Sequence, residues 1–319
     1  MPILEVKNLK KYFPVTSGVF LKRTGWIYAV DGVSFFVNKG ETLGIVGESG
    51  CGKTTLGRCI MGLYDVSDGE IIINKKKIFN LTSKKRKELA LNLQMIFQDP
   101  FESLDPRQTI KEILEEKYII HNISKQETIK AISRIIEQVG LQQDDLSKFP
   151  HEFSGGQRQR IGIARALSLN PKIIVCDEPV SALDVSVQSV ILNLLLSLQQ
   201  KLQLTYVFIS HDLSVVKHIS DKIAVMYLGK IVEMAGADDI YTKAEHPYTQ
   251  ALLSALLVPD PNLDQKRILL KGEVPSAQNP PLGCRFNTRC EYAKDICRNE
   301  EPILKQKQTN INHLTACHY

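Results

Sequence analysis

The sequence has no apolar run long enough to cross a bilayer. Its most apolar stretch, VILNLLLSL (Val190–Leu198), falls well short of the roughly 20 residues that a spanning helix needs. The opening MPILEVKNLKKYF also lacks a charged segment followed by an apolar one, so no signal peptide is expected. These absences predict cytosolic residence, where cysteines are ordinarily reduced thiols or metal ligands and not disulfides. A strong charge of one sign is missing too: 40 Lys and Arg against 35 Asp and Glu leave +5 at pH 7. The densest basic stretch, NKKKIFNLTSKKRKE (Asn74–Glu88), reads as a solvated face, and no nucleic-acid partner is expected. No internal repeat is found.

What is present is ordinary globular composition, 43% hydrophobic and 24% charged over 319 residues. That length suits one large domain with an appendage, or two modest ones. Short apolar runs alternate with helical patterns, which predicts an α/β body. TLGIVG, KIIVC and LTYVFIS are unbroken, β-branched runs, as expected of strands covered on both faces of a parallel sheet. LEVKNLKKYF, WIYAVDGVSFFV and GEIIINKK near the start read as antiparallel strands. From Gln98 to Arg165 the pattern turns helical, with Ile129, Ile132, Ile135, Ile136 and Val139 at 3- and 4-residue spacings on one face. After Val258 the chain becomes Pro-rich and irregular.

GESGCGKTT fits G-x-x-x-x-G-K-[ST] between a predicted strand and a predicted helix, the context that defines a P-loop. Its residues, Gly47, Glu48, Ser49, Gly50, Cys51, Gly52, Lys53, Thr54 and Thr55, are candidates for holding phosphate. Successive backbone N–H groups would turn inward around the phosphate oxygens, with glycines at the points of close approach. Lys53 would supply a charge for the β/γ-phosphates, and the Thr54 hydroxyl suits Mg²⁺. IIVCDEP brings Asp177 to the metal shell and places Glu178 where a carboxylate can orient and deprotonate water. FSGGQRQRIGIARAL puts Ser154, Gly155, Gly156 and Gln157 at a helix N-terminus, a second anion site with free N–H groups. Two such sites per chain suit two chains arranged head to tail.

SGGQRQR resembles the signature of ATP-binding-cassette (ABC) ATPases, and the other motifs follow that family in order. Gln98 in QMIFQDP resembles the Q-loop, which senses Mg²⁺ and water. SALD, ending at Asp184, resembles the D-loop that crosses the dimer interface. His211 in FISHD resembles the switch histidine of the γ-phosphate. Tyr12 in LKKYFP is similar to the aromatic that stacks on adenine, with Phe13 a neighbouring candidate. The resemblance implies a P-loop cassette with a mixed-sheet core, an antiparallel β subdomain and a helical subdomain. The expected division is a cassette over 1–258, with its helical subdomain at about 99–165, and an extension over 259–319. The repair ATPases of this family separate their motifs with a long coiled coil. Here Gln98 and Ser154 are close in sequence with no sustained heptads between them.

FQDPFESLDPRQTI, EHPYTQALLSALLVPDP and LKGEVPSAQNPPLGCRF look like ATPase subunits of oligopeptide/dipeptide importers, a group with nickel-import relatives. That resemblance implies ATP and Mg²⁺ and a paralogous ATPase as heterodimer partner. It also implies two membrane permease subunits, an extracytoplasmic binding protein indirectly, and residence at the cytoplasmic face of the membrane. It leaves the cargo open between peptide, nickel and another solute, and a soluble non-transport ATPase is the alternative of another class.

Cys284-x5-Cys290-x6-Cys297-x19-Cys317 places four of the seven cysteines in the irregular tail. A segment with so little apolar material commonly needs a metal or cross-links. Four thiolates suit Zn²⁺ or an Fe–S cluster, with His313 and His318 as substitute Zn²⁺ ligands. No spacing is C-x2-C. The resemblance to peptide-importer ATPases, some with a [4Fe–4S] cluster at such cysteines, implies iron–sulfur ahead of zinc. Cys51, Cys59 and Cys176 are expected to be small packing residues.

Overall fold

The structure is a computed structural model of the chain, and it describes residues 2–18, 22–78, 82–99, 103–256, 267–306 and 312–319. The expected boundary at 258/259 lies outside the described residues, as do parts of the basic stretch at 79–81 and of FQDPFESLDPRQTI at 100–102.

In chain order come β1 (Pro2–Ser17), β2 (Lys22–Asn38), β3 (Thr42–Val46), α1 (Lys53–Ile60), β4 (Asp68–Ile73) and β5 (Lys76–Ile78). There follow α2 (Ser83–Ala90), β6 (Leu93–Ile96), α3 (Ile110–Ile120), α4 (Lys125–Gln138), α5 (Gly155–Leu167), β7 (Ile173–Asp177), α6 (Val185–Leu202) and β8 (Thr205–Ile209). The rest comprises α7 (Leu213–Ile219), β9 (Lys222–Tyr227), β10 (Lys230–Gly236), α8 (Ala237–Lys243) and α9 (Pro247–Ser254). Last are α10 (Asp295–Asn299), β11 (Lys305–Gln306) and β12 (Leu314–Thr315). Among the described residues no helix is long and apolar enough to cross a membrane.

The chain forms two compact units. The P-loop unit holds Pro2–Val37, Thr42–Phe79 and Ile209–Tyr319. Its antiparallel sheet runs β2-β1-β4-β5, with Leu4 opposite Ile73 and Val6 opposite Ile71. Those four apolar side chains are buried, the period-2 inward face that sets the register. A second set of strands runs β11-β12-β10-β9-β3. Here β3 and β9 are parallel, Ile45 beside Ala224, and all of β3 is buried as its unbroken apolar run predicts. A tight turn joins β9 to β10, with Leu228 at φ 41° and Gly229 at φ 82°. Both central residues being left-handed is the hairpin turn that matches strand twist.

The signature unit holds Asn38–Glu41 and Asn80–Phe208. Its strands run β8-β7-β6, with β6 parallel to β7 and Met95 beside Val175. Helices α3, α4 and α5 pack on one another. The predicted α4 face needs one correction. Ile132, Ile135, Ile136 and Val139 are buried, but Ile129 is 51% exposed and Thr128 is buried in its place. Residues 128, 132, 135 and 139 follow the helical repeat, and the Thr128 hydroxyl donates to the carbonyl of Ser124 (3.0 Å). A threonine satisfied by its own helix can thus take an inward position.

Candidate active site

In the P-loop unit, β3 leads through GESGCGKTT into α1. Gly52 is the N-cap at φ 107°, and no side chain caps the helix. The first-turn N–H groups therefore lack intrahelical acceptors and present the positive end of the helix dipole. At Gly47 (φ 152°) a Cβ would lie 2.1 Å from the carbonyl oxygen of Met226. Glycine is required there because the loop backs onto β9, and not only to admit phosphate. At Gly50 (φ 78°) no atom lies within 4 Å of the Cβ position, which marks the open side of the cradle. Lys53 is buried, and its Nζ donates to the carbonyls of Gly47 (2.7 Å) and Glu48 (3.0 Å). The ammonium rests on neutral acceptors, so an anionic phosphate would be the stronger partner.

Cys51, Cys59 and Cys176 are buried. Burial raises the Cys51 thiol pKa despite the nearby Lys53 and pushes Cys59 up to about 12, which keeps both protonated. Tyr12 donates its hydroxyl to Asp31 Oδ1 at 2.5 Å and meets the Tyr28 ring edge-on at 4.8 Å. Phe13, on the alternate face of β1, meets Tyr64 edge-on at 5.5 Å. His211 is exposed just beyond β8, and Asp212 caps α7 by accepting from the Ser214 N–H at 2.8 Å.

In the signature unit, β7 ends on buried Asp177. Glu178 follows at φ 46°, a left-handed conformation that is costly for a side-chain-bearing residue and tends to occur at functional sites. Its Oε2 accepts from Gln98 Nε2 at 3.0 Å. Its carbonyl accepts from the N–H (3.3 Å) and hydroxyl (3.1 Å) of Ser181. The signature motif carries one correction to the expectation of free donors. Ser154 Oγ accepts from the Gln157 N–H (3.4 Å), while Gln157 Oε1 accepts from the Ser154 N–H (3.0 Å). This capping box occupies two of those donors and leaves the N–H groups of Gly155 and Gly156, first in α5, without intrahelical acceptors. The Ser154 hydroxyl keeps its own proton to donate. A Cβ on Gly156 would lie 2.6 Å from Val187 Cγ1, so this glycine is also a packing requirement against α6. Asp184 is the exposed N-cap of α6, with no side-chain capping bond.

The tail cysteines Cys284, Cys290, Cys297 and Cys317 are free thiols. All four line one cavity of about 410 Å³, together with His318. Among the described residues, no three His, Cys, Asp or Glu side chains are gathered as a set for one metal ion. The Cys284 N–H donates to the Cys297 carbonyl at 2.8 Å, which ties the first and third cysteines together. Burial, reinforced by the other three cysteines, pushes Cys284 up to about 11 against the opposing Phe286 N–H. His313 is engaged elsewhere: its Nε2 lies 2.6 Å from Oε1 of buried Glu233. Sequence reasoning also missed Arg285 and Arg289, which flank the first two tail cysteines and bond Asp31 and Glu48. Their placement beside cysteines was the available signal.

Known proteins bear on this geometry. Residues 30–181 match the family model of the ABC transporter, and residues 232–297 match that of the oligopeptide/dipeptide transporter C-terminal region. A solved dimeric, post-hydrolysis state of the ATP-binding cassette MJ0796, bound to ADP and Pi, superposes with a TM-score of 0.64 at 29% identity. It covers 73% of this chain and 98% of that one. A nucleotide-free ATP-binding cassette from an ABC transporter gives 0.66 at 29%, covering 79% and 98%. Fold and site thus define a P-loop ATPase of the cassette class, working on ATP with Mg²⁺.

The finer likeness spans the whole chain. It is 52% identical to the oligopeptide transport ATP-binding protein AppF of Bacillus subtilis, over 99% of this chain and 97% of that protein. It is 47% identical to OppF of Salmonella typhimurium, over 99% and 95%. The chain belongs to the ABC transporter family, among the ATP-binding proteins of the oligopeptide-transport type.

Proposed function

We propose that the chain is the ATP-hydrolysing subunit of a membrane importer for di- or oligopeptides. The observation that carries this reading is end-to-end similarity to oligopeptide transport ATP-binding proteins, with each nucleotide motif present in order. The cassette takes 1–258, with its helical subdomain at 99–165, and the extension takes 259–319. That division is supported by solved cassettes that cover only 73–79% of the chain. Two permease subunits in the membrane anchor the protein at the cytoplasmic face, a paralogous ATPase completes the pair, and an extracytoplasmic binding protein delivers cargo.

The P-loop, Gly47 to Thr55, receives the phosphates, and the open side at Gly50 fits that task. Thr54, Asp177 and Gln98 would hold Mg²⁺, which supplies neutralisation of phosphate charge when bound. Tyr12 stacks on adenine and Lys53 pairs with the β/γ-phosphates. Ser154, Gly155, Gly156 and Gln157 close over the nucleotide of the facing subunit, with Asp184 at that junction. Glu178 takes the proton of the attacking water, and His211 holds the γ-phosphate. Closure on ATP drives the permeases, and hydrolysis resets them.

In the extension, Cys284, Cys290, Cys297 and Cys317 would hold a [4Fe–4S] cluster. The reading is supported by all four thiols lining one shared cavity, and zinc is the alternative occupant. Ligation must displace protons from these thiols. Anaerobic protein should be brown with matched iron and sulfide; colourless protein with one zinc per chain would rule the cluster out.

Reconstitution with the permease subunits and binding protein in vesicles tests the transport reading. ATP-dependent uptake of labelled oligopeptides, absent in the Glu178→Gln variant, is expected. Uptake of nickel without peptide, or ATPase activity that never associates with permeases, would overturn it.

A further inference from the structure

The tail does more than enclose its cavity. Two of its arginines, each next to a cavity cysteine, reach the elements that would hold ATP. Arg289, 8% exposed, forks onto Glu48 with Nη1 to Oε2 at 2.8 Å and Nη2 to Oε1 at 3.2 Å. Its guanidinium lies 6.0 Å from the centroid of Tyr227. The Glu48 N–H in turn donates to the Tyr248 hydroxyl at 2.9 Å. Tyr227, Tyr248 and tail residue Phe286 form one aromatic cluster with centroids 4.7–5.4 Å apart. The second residue of the P-loop is therefore gripped through both main chain and side chain by groups outside the loop.

Arg285, equally buried, donates to the carbonyl of Leu228 and to Asp31 Oδ2. The other Asp31 oxygen accepts from Tyr12, while Lys230 Nζ stands 3.4 Å from Oδ2. The N–H of Gly229, beside Leu228, donates to the carbonyl of Cys51 at 2.9 Å. Asp31 N–H donates to the Gly229 carbonyl at 2.8 Å. One arginine thus ties together the turn that supports the P-loop and the carboxylate that orients Tyr12. The forked pair of Arg289 with Glu48 fixes orientation as well as distance.

We propose that Arg285 and Arg289 are positioning residues for ATP: Arg289 sets the P-loop through Glu48, and Arg285 sets the adenine platform through Asp31 and Tyr12. The proposal rests on the reading that the P-loop and Tyr12 hold the nucleotide. The two arginines therefore affect different parts of the ligand, which a merely structural role would not do.

Equilibrium binding to the purified full-length chain separates these effects, using fluorescent ATP and GTP analogues and displacement by inorganic pyrophosphate. Arg289→Gln is expected to weaken ATP, GTP and pyrophosphate alike by about tenfold, the scale of one lost bond to a charged group. Arg289→Lys should recover part of that loss. Arg285→Gln is expected to leave pyrophosphate unchanged while weakening both ATP and GTP, since an aromatic platform stacks on either base. Should either arginine variant fail to fold, the near-isosteric Glu48→Gln and Asp31→Asn break the same pairs from the other side. Nucleotide and pyrophosphate affinities within twofold of the parent in all folded variants would overturn the proposal. So would an equal loss for every ligand in both series that follows the melting temperature. Lys53→Ala serves as the separate control: unchanged ATP binding there would sink the P-loop reading itself.

Discussion

Gln98 holds Glu178 by a single hydrogen bond, Nε2 to Oε2 at 3.0 Å, and Glu178 sits on a left-handed backbone. The carboxylate is therefore aimed from both its ends: the main chain sets where it starts and the amide sets where it points. Removing the amide in Gln98→Ala should slow steady-state hydrolysis about tenfold in the assembled transporter, the worth of one such bond to a charged group. ATP affinity should change far less, which a comparison of kcat with equilibrium binding will read. An unchanged kcat would mean that the bond has no role in turnover.

Glu178→Gln keeps the shape and the bond to Gln98 can be retained through the side-chain oxygen, but the base is gone. ATP binding should persist while hydrolysis falls by at least about 10²-fold. Single-turnover assays in the assembled complex check it; turnover at the parent rate would remove Glu178 from the role of base.

Gly156→Ala sets two effects against each other. Alanine favours a helix over glycine by up to about 1 kcal/mol, but its Cβ would meet Val187 Cγ1 at 2.6 Å, and overpacking costs about 1–3 kcal/mol. The variant should be less stable to urea, and the double variant with Val187→Ala should recover the loss. If stability returns while ATPase activity does not, the glycine's open N–H edge matters beyond its packing.

Lys117 carries a pH dependence. Its Nζ donates to Gln94 and to the Arg165 carbonyl. Burial, helped by the neighbouring Arg165 cation, pulls its pKa down from 10.5 to about 7, despite Glu116. Between those values the unfolded chain binds a proton that the folded chain does not. This group's contribution to stability therefore rises with pH across that window. The penalty is complete below about 7. Urea midpoints at several pH values, parent minus Lys117→Met, should show that slope; parallel curves would contradict it. The difference is the proper readout, because the buried thiols titrate with the opposite sign.

The nucleotide motifs could be read from sequence because backbone geometry sets their spacing: a P-loop must be glycine-rich, and Asp177 must end a buried strand. The antiparallel and parallel strands were legible for the same reason, through period and unbroken apolar runs. Long-range side-chain pairs leave no such trace. Arg289 and Glu48 are 241 residues apart, and Arg285 and Asp31 are 254 apart. Likewise, nothing local distinguishes His313 as the partner of Glu233 from His313 as a ligand. Thr128 escaped for a different reason: counting apolar residues cannot find a polar one whose hydroxyl is satisfied within its own helix.

The short strand β12 lies along β10, with Thr315 opposite Glu233 and the Ala316 N–H bonded to the Val232 carbonyl. β10, KIVEMAG, is mostly buried, and an uncovered strand edge offers its backbone to any other chain. Residues 312–319 therefore act as a built-in guard against self-association. Deleting them in a shortened protein would expose a ready site for aggregation, even with the ATP-binding residues left intact.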